Sequence, residues 1–328
     1  MSELALPRCA PSCVAPWWAR GPHAQTVLGH LAPVRAPRLS MRARREIELD
    51  DGDRLVAHEL AGQSGVLALL FHGLSGDADA DYMRGAAQQL SARGHAVWAV
   101  EHRGCGAGRG LARRPYHSGR SADIAAVVRA ARAAFPASIV VAVGFSISGN
   151  IVLLHAGQRL APQADAVLAV HPPIDLAQAA HDLHSGLNRL YELRFVTRLR
   201  RAARELELLG TVRARGALRR RASIAEFDDC FTAPVSGFAS AAEYYERCSA
   251  APHLSAIETP TVILSSLDDP LVRAETLRAT PRSPATLLHL EQAGGHMAYL
   301  SRDGRWLERA LVHYVEALAH HVRGQRAP

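Results

Sequence analysis

Ile139-Val140-Val141-Ala142-Val143 runs directly into Gly144-Phe145-Ser146-Ile147-Ser148-Gly149-Asn150. The first five residues are apolar and mostly β-branched, which predicts a buried strand. The next seven predict a tight turn with a serine at its tip, followed by a helix from about Gly149. A serine held this way is strained and exposed, so its hydroxyl is free to attack a carbonyl. The bland alternative is a serine that only caps the helix. The rest of the chain supplies partners in the order serine, acid, histidine: the pair Asp268-Asp269, then Gly294-Gly295-His296. Of the three common chain orders for a serine triad, this is the one that goes with a strand-turn-helix nucleophile.

Outward from that stretch, strand and helix patterns alternate. Upstream, Glu46–Asp50 and Arg54–Leu60 flank Asp51-Gly52-Asp53, a hairpin signal. Val66–Phe71 and Ala96–Val100 read as strands around a helix over Asp81–Arg93, which Gly94 ends. Ser121–Ala134 reads as an amphipathic helix closed by Pro136, and Ala166–Val170 as the next strand. Further strands follow at Thr261–Ser265 and Thr286–Leu290. A final helix over Arg305–His320 puts Trp306, Leu307, Ala310, Leu311, Tyr314 and Leu318 on one face, as core packing requires. Continuous apolar strands separated by helices predict an α/β fold with a mostly parallel central sheet and helices on both faces. The rhythm breaks at Leu176. Residues 176–245 are helical in propensity and rich in arginine, and predict a helical cap or lid inserted over the C-terminal ends of the strands. The core then comprises 1–175, with an irregular arm over 1–40, and 246–328.

With 328 residues, 48% of them apolar, the chain is long enough for one large core and an insertion. No apolar run approaches the roughly 18–20 residues that span a bilayer. Residues 1–14 contain Pro7 and Pro11 and lack the apolar core of a signal peptide. The cysteines, Cys9, Cys13, Cys105, Cys230 and Cys248, are odd in number and scattered, which predicts a reduced, cytoplasmic protein without a disulfide framework. The net charge is +7 with histidine neutral, and all of the lysine-plus-arginine charge is arginine. Arginines cluster from Arg189 to Arg221 and read first as a solvated helical face. The second reading is a weak contact with an anionic membrane surface. No binding motif or interleaved aromatics accompany the charge, so nucleic acid is not an expected partner.

Acyl chemistry needs a nucleophile, a base and donors for the developing oxyanion. Ser146 is the candidate nucleophile and His296 the candidate base, presented by its glycine pair after the last strand. Asp269 is the candidate orienting acid, because such acids commonly precede an x-x-Val stretch, here Pro270-Leu271-Val272. Asp268 is the alternative, or else it caps the next helix or turn. The expected oxyanion donors are the backbone N–H groups of Ile147 and of Leu74, in the loop His72-Gly73-Leu74-Ser75-Gly76. His72 reads as a brace for that loop. His181-x-x-His184 and Cys9-x-x-x-Cys13 lack further ligands. Gly104-Cys105-Gly106-Ala107-Gly108 lacks the lysine of a phosphate loop. No metal or organic cofactor is therefore expected.

Several of these strings recur, in the same order, in the YheT-like α/β-hydrolases, and the chain resembles that family from about Trp17 to its last helix. The shared strings are Pro22-His23-Ala24-Gln25-Thr26, Phe71-His72-Gly73-Leu74-x-Gly76, Arg103-Gly104-Cys105-Gly106 and Tyr116-His117-Ser118-Gly119. Gly144-Phe145-Ser146, Phe227-Asp228-Asp229, Tyr244-Tyr245, Asp268-Asp269-Pro270 and Gly294-Gly295-His296 complete the set. The resemblance implies an α/β-hydrolase fold, a triad of Ser146, Asp269 and His296, and hydrolysis of carboxylic esters. Eukaryotic relatives act on acylglycerols, phospholipids or ethyl esters, some transfer acyl groups to alcohols, and many carry an N-terminal membrane anchor. This chain resembles the soluble bacterial branch. It departs from the family at Ser148, where glycine is usual, and at Met297-Ala298-Tyr299, where Val-Gly-Phe is usual. Ser148 is expected to set the helix slightly farther from the strand and to bring a second hydroxyl near the nucleophile.

The expected function is a serine esterase acting on a small-molecule acyl ester through an acyl-enzyme, with no obligate protein partner. The alternatives are acyl transfer to an alcohol on the same triad, and a non-catalytic lipid-binding or ligand-binding α/β fold.

Overall fold

In the computed structural model, which describes residues 3–208, 210 and 222–326, the apolar runs assemble into an eight-stranded sheet. In chain order the strands are β1 (Arg44–Glu48), β2 (Arg54–Leu60), β3 (Val66–Phe71), β4 (Ala96–Glu101), β5 (Ile139–Phe145), β6 (Ala166–Val170), β7 (Thr261–Ser266) and β8 (Thr286–Glu291). Their order across the sheet is β1-β2-β4-β3-β5-β6-β7-β8. The β1–β2 and β2–β4 pairings are antiparallel, and all others are parallel. Every residue of β3 to β7 is buried, as unbroken apolar strands between two helical layers must be.

Alternate residues of these strands serve two cores, because successive side chains point to opposite faces. Ala68, Leu70, Val141 and Val143 pack with Met83 of α2 (Asp81–Ala92) and with Trp306, Leu311, Tyr314 and Leu318 of the C-terminal helix. Leu67, Leu69, Val140 and Ala142 pack on the other face with Ile124 and Val127 of α3 (Ser121–Ala134) and Ile151 to Leu154 of α4 (Ile147–Gly157). The N-terminal arm adds Leu4, Cys9 and Cys13 to the first core, and α1 (Pro22–Leu31) follows it.

Between β6 and β7 the described residues form α5 (Leu176–Leu183), α6 (Asn188–Leu208), α7 (Ile224–Phe227), a short π-helix at Asp228–Thr232, α8 (Ala233–Ser236) and α9 (Ala241–Cys248). These elements form their own apolar cluster, which includes Leu176, Leu183, Val196 and Tyr244, with Leu74 and Ile147 packed against it. That contact sets the helices over the serine turn. After β7 come α10 (Ala274–Ala279), β8 and α11 (Trp306–Arg326).

The first strand differs from its expected bounds. β1 covers 44–48 in place of 46–50, and its ladder with β2 ends at Glu48 opposite Arg54. Leu49 already belongs to the turn: its carbonyl accepts from Gly52 N–H and its N–H donates to Asp53 C=O. Asp51 and Asp53, in the turn, bind the buried guanidinium of Arg103, which Asp123 also grips through both carboxylate oxygens. All five cysteines are unpaired. Among the described residues, no helix is long and apolar enough to cross a membrane. Of the arginine cluster, Arg189 to Arg204 lie on α6, whereas Arg213, Arg215, Arg219, Arg220 and Arg221 fall outside the described residues.

Candidate active site

Ser146 stands between β5 and α4 with φ 53° and ψ −118°, a conformation that costs a non-glycine residue free energy. Its surroundings explain how the turn is held. The Ser146 N–H donates to Val170 C=O on β6, and its own C=O accepts from Gly149 N–H, which starts the helix at Ile147 rather than at Gly149. A side chain at Gly144 would fall 2.3 Å from the Ser148 carbonyl oxygen, so glycine is required there.

Three chain segments meet at this turn. His296 Nε2 lies 2.9 Å from Ser146 Oγ, and its Nδ1 lies 2.9 Å from Asp269 Oδ2. Facing a carboxylate, Nδ1 carries the proton, which leaves Nε2 to accept from the serine hydroxyl. The Asp269 side chain is wholly buried. Burial alone would raise its carboxyl, yet His296 and His171, with the hydrogen bonds they donate, hold it well below the usual carboxylate range. Its Oδ1 also accepts from the N–H groups of Leu271 and Val272. Asp268 faces elsewhere. Its Oδ1 accepts from Gly294 N–H at 2.8 Å and Gly295 N–H at 2.9 Å, so it caps the glycine pair before His296 and not the next helix.

The loop 294–300 is anchored from the far end of the sequence. Gln25, wholly buried, donates to Leu300 C=O and accepts from Leu300 N–H. Thr26 Oγ1 accepts from His296 N–H. Gly295, at φ +53°, lies so close that a side chain there would meet Gln25 and Thr26. Sequence reading did not assign these two residues a role; their place in a string shared with relatives was the available signal.

The loop after β3 is braced on both sides of Leu74: Gly73 N–H donates to Tyr82 Oη and Ser75 N–H to Tyr116 Oη. Among the described residues, neither Leu74 N–H nor Ile147 N–H has a hydrogen-bond partner. Ile147 is the first residue of α4, where orphan N–H groups and the helix dipole favour negative charge. His72 does brace this loop: its Nδ1 bonds Gly73 C=O and its Nε2 accepts from His102 N–H.

Ser148 corrects an expectation. It is wholly buried, and its hydroxyl bonds His72 C=O and His102 Nε2 behind the loop, so it does not add a second hydroxyl beside the nucleophile in the cavity. Asn150, given no role from sequence, ties Ser118 to the Cys248 and Ala250 backbone and so fastens α9 to the core.

Ser146 and His296 open onto two cavities. One, about 840 Å³ with its mouth included, is walled by apolar side chains such as Leu176, Ala180, Leu183, Leu199 and Ile224. Asp228 lies at its wall, where burial raises its carboxyl to about 6 against hydrogen bonds from Thr232 and Tyr245. The second is more polar and includes His30, Ser75, Tyr191, Arg194 and Arg198. Among the described residues, His171, Asp269 and His296 form a group of three whose ligand atoms lie within 4.8 Å of one another. Here the imidazole N–H groups already bond the carboxylate, so the arrangement suits a proton-handling site better than a metal centre. His184, from the weak histidine pair, bonds Glu192.

A family model described as the alpha/beta hydrolase fold matches residues 68–303. YheT of Escherichia coli (strain K12), which bears an esterase name, is 31% identical over 293 residues, covering 83% of this chain and 85% of its own. A monoacylglycerol lipase of Saccharomyces cerevisiae is 25% identical over 265 residues, covering 76% of this chain and 59% of that one. Among solved structures, an esterase of Pyrococcus furiosus is alike in fold, with a TM-score of 0.57 at 16% identity, covering 95% of this chain and 98% of that one.

Proposed function

The chain belongs to the α/β-hydrolase family and is YheT-like, and from that premise we propose that it cleaves carboxylic esters through an acyl-enzyme on Ser146. The observation that carries this reading is the 2.9 Å contact between Ser146 Oγ and His296 Nε2 at the edge of an apolar chamber. His296 takes the hydroxyl proton as Oγ attacks the carbonyl carbon, and the carbonyl oxygen becomes an oxyanion held by Leu74 and Ile147 N–H. Collapse of this intermediate breaks the ester C–O bond, and His296 returns the proton to the leaving alcohol. Water, deprotonated by the same nitrogen, then releases the acid and frees Ser146. Asp269 orients the imidazole and stabilises its charged form throughout.

The two cavities divide the substrate. The apolar chamber takes the acyl chain, and residues 176–245 act as the cap that bounds it. The polar cavity takes the alcohol. An alcohol that replaced water would accept the acyl group from the same intermediate. The test is fluorophosphonate labelling of wild type and Ser146→Ala, followed by a panel of acyl esters, with short alcohols added in a parallel set. Labelling and turnover confined to wild type are expected. Full esterase activity in Ser146→Ala would overturn the mechanism.

A further inference from the structure

Asp269 is held by two histidines, and only one of them faces the serine. His171 follows β6, is wholly buried, and takes a left-handed φ of +50°. Its N–H donates to Leu264 C=O, so its backbone stays registered with β7 and its ring arrives beside the residue that follows that strand. His171 Nδ1 lies 2.5 Å from Asp269 Oδ2, the oxygen that His296 Nδ1 also approaches. Ser265 Oγ lies 3.2 Å from the same Nδ1. His171 Nε2 is buried and has no partner among the described residues. The titratable groups around the ring are Asp269 and, at longer range, Asp268 from the end of β7, and His296 and Tyr299 from the loop after β8.

This geometry leaves one protonation state. Asp269 is ionised and has no proton to offer, so His171 Nδ1 must carry the hydrogen between them. A second proton on Nε2 would be buried without an acceptor, so the ring is neutral; its burial works in the same direction. Asp269 therefore accepts from two backbone amides on Oδ1, from His171 on Oδ2, and from His296 chiefly on Oδ2, at 2.9 Å against 3.2 Å to Oδ1. That fills the roughly four acceptor sites of a carboxylate and fixes its plane. It also divides the carboxylate's negative charge between two donors.

We propose that His171 is a positioning residue, a permanently neutral imidazole that locks Asp269 and limits how much of its charge His296 receives, which extends the reaction to lower pH. The role rests on the acyl-enzyme reading of Ser146 and His296. It acts through Asp269 and touches no reacting atom.

The pH profile of ester kcat/KM tests it, measured for wild type, His171→Phe, which keeps a ring without a donor, and His171→Asn, whose amide N–H can stand near the Nδ1 position. In His171→Phe the acidic limb moves up by about half to one pH unit and kcat falls about tenfold with KM little changed, the loss of one hydrogen bond to a charged group. His171→Asn restores both. A His171→Phe profile that superimposes on wild type, or an Asn variant that behaves like Phe, overturns the proposal. If the Phe variant does not fold, 15N-histidine NMR of wild type decides, with the His171 signal assigned by its absence in His171→Asn. A neutral Nδ1–H ring that does not titrate between about pH 5 and 8 is expected. An Nε2–H tautomer, or titration in that range, overturns the role. Fluorophosphonate labelling of Ser146 is scored separately, so a failed esterase reading and a failed His171 role give different results.

Discussion

Replacing Asp269 by asparagine separates the two neighbouring acids. Under the proposed mechanism, the imidazolium formed on His296 sits against a wholly buried carboxylate at 2.9 Å. With the two charge centres taken as about 4 Å apart and an effective dielectric constant of about 20, their attraction is about 4 kcal/mol. Loss of that term lowers kcat/KM by about a thousandfold. The amide cannot escape the loss by rotating, because one side of the group meets two backbone N–H donors and the other two imidazole nitrogens. Asp268→Asn is the control. Its amide oxygen can still accept from Gly294 and Gly295, so its rate falls by about tenfold or less. The assay is hydrolysis of a chromogenic acyl ester, with thermal unfolding to show that both variants are folded. Asp269→Asn within tenfold of wild type, or Asp268→Asn impaired as severely as Asp269→Asn, would refute the assignment.

Gln25→Ala leaves the N–H of Leu300 unpaired in the interior and its C=O with only the weak Cys13 thiol donor, and should lower stability by about 1–3 kcal/mol in urea unfolding, with a fall in kcat as the His296 loop loosens. Arg103→Met strands three carboxylates around a side chain that is 4% exposed and should cost about 3–5 kcal/mol in the same measurement. Ala180→Phe fills part of the apolar chamber and should reduce the ratio of long-chain to short-chain ester turnover by about tenfold or more. Asp228 binds its proton more tightly folded, at about 6, than unfolded, at 3.8, so its contribution to stability is present at low pH and lost as pH rises through about 6. Urea unfolding from pH 4 to pH 8 should therefore show the gap between wild type and Asp228→Asn changing in that interval, and a constant gap would contradict it.

Much of the fold was legible because burial on both faces writes itself as an unbroken apolar run. β3, β5 and β6 lie where those runs placed them, and α3 has the bounds its pattern and Pro136 indicate. The hairpin edge was less legible. An Asp-Gly turn signal names the turn but not which neighbours pair; here Leu49 joins the turn, and the turn's aspartates are bound by Arg103, a residue about 50 positions away. Ser148 was misjudged for a related reason. Its hydroxyl could be read from the sequence, but its direction depends on His72 and His102, which stand on neighbouring strands' ends.

By itself, the sequence determined the order of serine, acid and histidine, the apolar strands that carry them, and the small residues that let the serine turn close. These are local matters of side-chain size, hydropathy and spacing. Only the tertiary structure decided which aspartate faces His296, because adjacent residues after a strand point in different directions and Asp268 is claimed by the Gly294 and Gly295 amides. It alone brought Gln25 and Thr26 under a loop some 270 residues distant, and set His171 against Asp269 across the β6–β7 register. Parallel strands juxtapose residues that share no sequence neighbourhood, so a contact made through the sheet leaves no periodicity in the chain.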